Sequence, residues 1–500
     1  MARIAVIGAG MGAMAAAARL AVAGHRVAVY ERTETYGGAV RRLERDGFAF
    51  DTGPGLLTLP AVYRDLFVKT GKEPLESVVD LVQVDPSSRH VFADGTEVSL
   101  PNASRAGVVA ALDQALGAGA GARWGDFLIR AREAWDRTRR PLLEEPLWPN
   151  WSVLMREPYP AVPHKRLLRT RRACTLYEIG AWELRDPRLA ALLDGYALAY
   201  GVDPGTAPAS AAILPYMEHA FGTWYVRGGM RELARAVHER CVQRRVEFHF
   251  GAEVTGVLEK DGRTSGVELA DGTVVEADTV VGTGPWRLRR LVPRRELYGA
   301  KDVPPDAEDL HTGRVVVCLA LRGAREPDAV HRTVVYGPDP EGELSEFAHG
   351  ELPEPTVRID RPDDPALRPD EEHESMVLTA TVASGAAYDW TAPGAADAFA
   401  EKMVTAAERA MPGLRERILW REVRTPVHTE RETGAEGGAV PPPSLAGGEG
   451  TLHPSNSTAV PGLFTAGGWS HPGGGLPHAG MSGALVAGLI VEGPEFRGSQ

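Results

Sequence analysis

The chain has 500 residues, of which 43% are hydrophobic and 24% are charged. This length is enough for two or more structural domains with a large core. A formal net charge of −12 argues against general affinity for nucleic acid. The three cysteines, Cys174, Cys241 and Cys318, are far apart and form no CxxC motif. They fit a reducing cytoplasm, and neither they nor the histidines show the spacing of a metal site.

The first 32 residues predict a strand, a glycine turn, a helix and a second strand. The strand is Ile4–Ile7, the turn is GAGMG at residues 8–12, and an alanine-rich helix follows at residues 13–23. A second apolar strand at residues 25–30 ends in Glu31. This order is the fingerprint of dinucleotide binding in its required structural context. A signal peptide does not need this glycine spacing, and the apolar run is shorter than the ~20 residues of a membrane span.

Each part of the fingerprint has a physical role. Gly8 permits the tight turn, and Gly10 lets the backbone approach a pyrophosphate. The amides at the start of the helix then face the anion, and the positive end of the helix dipole favours it. Glu31 is placed to accept hydrogen bonds from a ribose, and Ala13 is a small replacement for the third glycine. The motif alone does not distinguish FAD from NAD.

Two more glycine-rich segments follow, at residues 37–39 and 53–55. Either one alone is explained by an ordinary turn, but so close to the first turn they suggest further approach of the backbone to a ligand. Residues 90–100 predict a β-hairpin around Asp94-Gly95, and residues 103–138 predict mostly helix.

A basic cluster, KRLLRTRR at residues 165–172, lies in this otherwise acidic protein. It predicts a solvated helix face, with contact to an anionic membrane surface as the alternative. Residues 196–220 are small and apolar with few charges. They fit the wall of an apolar ligand site and a buried core equally well.

From residue 224 onwards the chain is predicted to return to the nucleotide-binding unit and then to form a second, antiparallel sheet. The predicted elements are a helix at 231–245, strands at 246–250 and 279–282, strands of the second sheet at 315–321 and 376–382, an amphipathic helix at 395–411, and a Gly/Pro-rich loop at 434–450.

The C-terminal segment has the same order of predicted elements as the N-terminal one. A strand at residues 463–466 leads into a glycine turn at 467–477 and an apolar helix at 479–491. A second strand–glycine–helix element at the far end indicates that both termini contribute to one nucleotide-binding unit. A simple NAD-binding fold does not need such closure.

These motifs together resemble the FAD-dependent phytoene desaturase family, which includes carotenoid desaturases and isomerases, within the flavin amine-oxidase-like superfamily. The likeness covers nearly the whole chain. It is carried by GAGMGAM at 8–14, FDTGPGLLTLP at 50–60, WYVRGGM at 224–230, GAEV at 251–254, REVRTP at 421–426 and PGLFTAGGWSHPGGGLPHAGMSG at 461–483. The family's usual Gly-Gly-Arg reads Gly37-Gly38-Ala39 here, and its usual Pro-Gly reads Pro477-His478. The second departure lies where the family's flavin ring meets substrate, which leaves the reaction type open.

The resemblance implies an α/β fold with two domains. A discontinuous, Rossmann-like FAD-binding domain would take residues 1–75, 225–295 and 455–500. An α+β substrate-binding domain with a mostly antiparallel sheet would take residues 76–224 and 296–454.

The resemblance also implies which residues hold FAD, with no metal. They are Gly8, Gly10, Met11, Gly12, Ala13, Glu31, Arg32, Gly38, Ala39, Gly53, Pro54, Gly55, Val254, Gly284, Gly467, Gly468, Gly475 and Leu476. Candidates for the catalytic face of the flavin ring are Trp224, Tyr225, Trp469, His471 and His478. For these five side chains, a place in the core or in a structural turn is the alternative.

The activity implied is desaturation: dehydrogenation of C–C bonds in a carotenoid-like or other hydrophobic isoprenoid polyene, by hydride transfer to flavin N5. A polyene delocalises developing positive charge, so an apolar tunnel that aligns the C–H bond matters more than a strong base. A redox-neutral isomerase or saturase and a non-catalytic carrier of hydrophobic ligands are alternatives. The resemblance further implies quinone or oxygen as electron acceptor and a cytoplasmic protein in peripheral contact with the membrane; it does not specify the oligomeric state.

Overall fold

The structure is a computed structural model that describes residues 1–166, 169–283, 312–385, 388–448 and 451–498. Its strands, in chain order, are β1 (Arg3–Ile7), β2 (Arg26–Glu31), β3 (Arg42–Arg45), β4 (Phe48–Asp51), β5 (Leu81–Gln83), β6 (Ser88–Val91), β7 (Glu97–Leu100), β8 (His164–Arg166), β9 (Arg169–Arg171), β10 (Trp224–Val226), β11 (Glu247–Phe250), β12 (Val254–Lys260), β13 (Arg263–Leu269), β14 (Val274–Glu276), β15 (Thr279–Thr283), β16 (Thr312–Arg322), β17 (Arg332–Val335), β18 (Val357–Asp360), β19 (His373–Ala383), β20 (Ile418–Arg424) and β21 (Leu463–Ala466).

The α-helices are α1 (Met11–Val22), α2 (Ala61–Gly71), α3 (Arg105–Leu116), α4 (Ala120–Arg139), α5 (Leu147–Leu154), α6 (Leu176–Ile179), α7 (Pro187–Ala199), α8 (Ile213–Phe221), α9 (Arg231–Gln243), α10 (Glu343–Ala348), α11 (Ala395–Glu408), α12 (Leu414–Arg417), α13 (Pro426–Thr433) and α14 (Leu476–Glu492). Within the described ranges, no helix combines the length and the apolar character needed to cross a lipid bilayer.

A parallel sheet joins the two ends of the chain. Its described strands run in the order β11-β2-β1-β15-β21, and every pairing between them is parallel. The strands are short and apolar, as expected for a sheet that helices cover on its faces. Because β21 pairs with β15, the C-terminal block lies beside the N-terminal one, which confirms the predicted closure by both termini.

Close contact of α1 with α14 brings the two glycine turns together. A Cβ on Gly12 would lie 2.8 Å from the Gly467 Cα, and one on Gly483 would lie 2.4 Å from the Gly12 carbonyl oxygen. Only glycine allows the two helices to approach this closely. Buried alanines on α1, such as Ala13 and Ala16, serve the same purpose.

The second sheet runs in the order β20-β16-β19-β18-β17-β6-β7. All its pairings are antiparallel except β17 with β6. This confirms residues 315–321 and 376–382 as strands of a mostly antiparallel second sheet, in which they pair with each other, and with the parallel sheet it confirms the α/β plus α+β fold class. Phe399 and Met403 of α11 cover one face of the sheet and share a hydrophobic core with Val315, Val317 and Leu319 of β16.

Helices α3, α4, α7 and α8 form a third layer around a core that contains Trp124 and Phe127. Most of the apolar stretch at residues 196–220 is buried in this core. Strand β10 (Trp224–Val226), by contrast, crosses the boundary predicted between residues 224 and 225. It pairs with β5, which lies in the predicted substrate-binding domain. The domain boundaries stay a prediction.

Two sequence predictions are corrected by the structure. The cluster at residues 165–172 was expected to be a helix face, but β8 and β9 form a two-stranded antiparallel ribbon there, in which His164 pairs with Arg171. The C-terminal helix begins at Leu476 and not at Ala479. Pro477 in its first turn favours this earlier start, because proline fits a position whose amide has no partner within the helix.

Candidate active site

The first glycine turn is a tight bend that opens into a helix without a cap. Gly8 has φ +90°, and a Cβ there would lie 2.5 Å from the Thr283 Oγ1. Gly10 precedes α1 with φ −72°, and no atom lies within 4 Å of the position that a Cβ would take. No side chain caps α1 and its first turn has no acidic residue, so the amides of Met11, Gly12 and Ala13 are available to an anion.

Glu31 stabilises this turn through hydrogen bonds. Its carboxylate is buried and accepts hydrogen bonds from the backbone of Ala9 at 2.8 Å and from the backbone and hydroxyl of Thr33 at 2.8 and 2.9 Å. A carboxylate has about four acceptor positions, so room is left for a ribose hydroxyl. Arg32 points elsewhere: it donates to the carbonyl oxygens of Glu430 and Arg431 at the end of α13. Cofactor contacts of Glu31 and Arg32 stay predictions.

The next two glycine segments pack on the first turn. A Cβ on Gly38 would lie 3.0 Å from the Gly10 Cα, and one on Gly53 would lie 2.1 Å from the Ala39 carbonyl oxygen. The predicted segments 37–39 and 53–55, which include Pro54, therefore line one continuous edge with Gly10. This close packing explains why small residues recur in all three.

Arg231 organises this edge and was not predicted from the sequence. Its guanidinium donates to the carbonyl oxygens of Tyr36 and Val40 at 2.5 and 2.9 Å and lies 4.2 Å from the centre of the Tyr36 ring. Arg41 adds a hydrogen bond to the Gly38 carbonyl oxygen at 2.7 Å. The one signal for Arg231 was its place directly after the WYVRGGM motif.

The C-terminal glycine turn offers a second open backbone surface. Gly467 has φ +104° and, like Gly10, nothing within 4 Å of the place of a Cβ. Gly468, by contrast, is closely covered by Pro441. Gly475 precedes α14, which has neither a side-chain cap nor an acidic residue in its first turn. The carbonyl oxygen of Leu476 accepts a hydrogen bond from the Tyr63 hydroxyl at 2.9 Å, which fixes the start of the helix.

His471 and His478 lie at this second turn, both buried. The Nε2 of His471 is 3.0 Å from the Glu145 carbonyl oxygen. Within the described residues, the Nδ1 atoms of both rings and the Ser470 hydroxyl have no hydrogen-bond partner. Burial lowers the pKa of each imidazole to about 4, so both are neutral at pH 7. Trp469 lies beside them, with its ring centre 6.1 Å from that of His453.

Trp224 and Tyr225 have other partners. The Trp224 indole N–H donates to the Phe221 carbonyl oxygen at 3.1 Å. The Tyr225 hydroxyl donates to Asp364 at 2.8 Å, and its ring packs 4.8 Å from that of His331. Polar groups that are already satisfied suit a structural role, and the catalytic role of both residues stays a prediction.

The remaining predicted positions are Val254 and Gly284. Val254 is buried at the start of β12, two residues after Ala252, whose amide donates to the Glu31 carbonyl oxygen at 2.9 Å. That places it close to the end of β2, as an adenine contact requires. Gly284 lies outside the described residues.

This geometry fits a bound dinucleotide. Gly10 and Gly467 leave space that a Cβ would fill, two helices begin without caps, and buried polar atoms at residues 470–478 have no protein partner in the described part of the chain. Residues 14–491 match the family model for flavin-containing amine oxidoreductases. The chain belongs to this family.

Relatives support the same assignment at full length. The zeta-carotene-forming phytoene desaturase of Myxococcus xanthus is 29% identical over 97% of this chain and 93% of its own. The hydroxyneurosporene desaturase of Cereibacter sphaeroides is 31% identical over 98% and 97%. Among solved structures, an oxidoreductase from Methanosarcina mazei shares the fold with a TM-score of 0.64 at 16% identity, over 97% of this chain and 99% of its own. The resemblance to the phytoene desaturase family is confirmed.

The protein is therefore an FAD-dependent oxidoreductase, and the predicted cofactor is confirmed. When bound, FAD supplies a two-electron acceptor. The chain's own contribution would be to hold it: the start of α1 would face the pyrophosphate, Gly38 and Gly53–Gly55 would lie along the same edge, and Gly467 and the start of α14 would approach it from the other end. Family membership favours an enzyme over the non-catalytic carrier.

The two buried histidines predict the pH dependence of the reaction. Because their imidazoles stay neutral down to about pH 4, we expect the rate of flavin reduction by a fixed substrate to show no inflection between pH 5.5 and 7.5. The measurement is an anaerobic stopped-flow series across that range. An inflection near pH 6.5 that disappears in His478→Ala or His471→Ala would contradict this expectation.

Proposed function

We propose that the protein desaturates C–C bonds of a carotenoid-like polyene. The observation that carries this is the similarity to carotenoid desaturases along nearly the whole chain. The relatives' names describe their own substrates, and the shared class is a long, apolar, conjugated isoprenoid. In such a substrate a hydride leaves one carbon and a proton leaves its neighbour, so the product has two fewer hydrogens.

The residues at the second turn support this reaction because they supply no strong base. His471 and His478 are neutral and desolvated, and a polyene spreads the developing positive charge over its conjugated system. The chain then has to orient the substrate and exclude water.

Product mass decides between desaturation and the alternatives. Purified protein with FAD is incubated with candidate polyenes, and the products are analysed by mass spectrometry. We expect a loss of two hydrogens per step. An unchanged mass with altered retention would indicate an isomerase, and a gain of two hydrogens a saturase; either result overturns the proposal. Anaerobic substrate should also bleach the flavin stoichiometrically in a desaturase.

We also propose that the protein works in the cytoplasm at the membrane surface. The basic ribbon, formed by β8 and β9, exposes Lys165, Arg171 and Arg172. Among the described residues, none of the three makes an ion pair with a carboxylate. Exposed cations of this kind are attracted to anionic lipid by about 1 kcal/mol each.

Vesicle flotation tests the membrane proposal. We expect the wild type to float with anionic vesicles at low salt, and the double variant Lys165→Glu/Arg171→Glu to lose about 10-fold or more in binding. The matched control is Lys260→Glu/Arg263→Glu, which changes two exposed basic residues paired on another hairpin. Equal loss in both variants would indicate a general charge effect and would contradict a specific ribbon contact.

A hydrophobic quinone fits an electron acceptor at that surface, and oxygen is the second candidate. The two are separated by the rate of flavin reoxidation, measured after anaerobic reduction with either acceptor added. Faster reoxidation by the quinone supports the membrane-surface location, whereas reoxidation by oxygen alone argues against it.

A further inference from the structure

One face of the seven-stranded sheet carries several arginines. Residues opposite one another on neighbouring strands point to the same face, as do residues two apart on one strand. By the register of the sheet, this face bears Arg314 on β16, Arg358 on β18, Arg332 on β17 and Arg424 on β20. Arg332 is buried and the other three are partly buried. A wall made only to hold a hydrocarbon would not need these cations, which are costly to desolvate.

Three of the four arginines are paired with carboxylates. Arg332 forms a buried ion pair with Glu218 at 2.6 Å. Arg358 lies 3.1 Å from the carboxylate of Asp360, and Arg424 pairs with Glu432. These partners explain why the three charges are tolerated in the interior.

Arg314 differs from the others. Its one hydrogen bond within the described residues goes from NH2 to the Ala199 carbonyl oxygen, at 2.7 Å. No carboxylate of the described chain lies within ion-pair distance of it. Burial lowers its pKa to about 10, and the nearby Arg358 contributes to the shift. At pH 7 it is still a cation, with free N–H donors and no counter-ion.

Two observations place Arg314 in the layer between the sheet and the cofactor edge. The charged side chains near Arg314 are those of Arg358 and Asp360. The Asp360 carboxylate lies 3.6 Å from the position of a Cβ on Gly55. On the other side, Ala199, whose carbonyl oxygen accepts the Arg314 hydrogen bond, ends α7.

We propose that Arg314 binds a carboxylate carried by the polyene substrate. This inference rests on the proposed function and narrows it to polyene acids. A guanidinium presents parallel N–H donors that match both oxygens of a carboxylate, and it pairs with that group more strongly when water is excluded. Arg314 would thus fix which end of a long substrate enters first, a choice that an apolar tunnel alone cannot make.

The test measures binding and needs no turnover. The probes are retinoic acid and methyl retinoate, which share one polyene and differ in charge, titrated into the FAD-loaded protein by the shift of polyene absorbance. We expect the acid to bind about 10-fold or more tightly than the ester. Arg314→Gln should abolish this preference, and Arg314→Lys should keep part of it.

Arg322→Gln is the matched control, because it removes an exposed arginine at the far end of the same strand. It should leave the acid preference unchanged. Equal affinity of the wild type for acid and ester would overturn the proposal. So would an Arg314→Gln variant that keeps the preference but shifts the flavin reduction potential, since Arg314 would then act on the cofactor. Desaturation of a neutral polyene is measured in a separate experiment, so failure of one proposal does not affect the test of the other.

Discussion

Gly10→Ala is expected to fold normally and to lose FAD. Nothing lies within 4 Å of the new methyl group, and the φ of −72° suits any residue. The apoprotein should therefore change in stability by less than about 1 kcal/mol. The methyl group would occupy the space through which the backbone reaches the pyrophosphate, and hydrogen bonds to a charged group contribute about 1.5–3 kcal/mol each. Loss of two such bonds weakens FAD binding about 100-fold or more.

Gly12→Ala supplies the contrast, two residues further along α1. Its methyl group would lie 2.8 Å from the Ala479 carbonyl oxygen and from the Gly467 Cα, both of which are backbone atoms. Overpacking of this kind costs about 1–3 kcal/mol. We expect a lower melting temperature of the apoprotein for Gly12→Ala and an unchanged one for Gly10→Ala. FAD affinity is measured by flavin fluorescence on rebinding. If Gly10→Ala retains bound flavin through purification, the first glycine turn does not hold the pyrophosphate.

Much of the parallel sheet could be predicted because its signals are local. Strands β1 and β21 are short apolar runs that end at a glycine turn, and a helix begins directly after each turn. The second sheet was predicted only in part, since the strand at residues 315–321 and its partner were apolar runs of suitable length. The pairing of β6 with β17 joins residues 88–91 to 332–335, and no local pattern encodes a contact over that distance.

The parts of the candidate site that depend on backbone conformation could be predicted from the sequence. The parts that depend on a single charged side chain could not. Glycines that must approach a ligand leave a spacing in the sequence. Arg231 has only its place after the WYVRGGM motif as a signal, and Arg314, for which we propose a role, has none, because one arginine beside an apolar run looks like the end of an element. The basic ribbon was misjudged for a related reason: in the cluster at residues 165–172 the charges follow neither the helical period nor strict alternation. Only tertiary contacts give these residues their partners.

Removing one partner of the Glu218–Arg332 pair is expected to destabilise the protein strongly. Both side chains are buried, and the guanidinium contacts the two carboxylate oxygens at 2.6 and 3.4 Å. Glu218→Leu leaves a cation in the interior without a counter-ion, which costs about 3–5 kcal/mol. Arg332→Met should cost a similar amount, because it leaves the carboxylate of Glu218 desolvated and unpaired.

The double variant decides whether the pair itself stabilises the fold. If the cost of each single change comes from the orphaned charge, Glu218→Leu/Arg332→Met should recover most of the lost stability. Arg235→Met is the exposed control, since Arg235 and Glu239 also lie 2.6 Å apart but in solvent, and it should cost less than about 1 kcal/mol. Apparent stability is measured by thermal and urea unfolding of the FAD-loaded protein. A double variant as unstable as the sum of the singles would mean that the two charges are not coupled, which would contradict this expectation. A double variant that recovers part of the loss but stays well below the wild type would mean that the pair stabilises the fold relative to two apolar side chains. The arginine face of the sheet would then be maintained by its ion pairs, with Arg314 as the exception within the described chain.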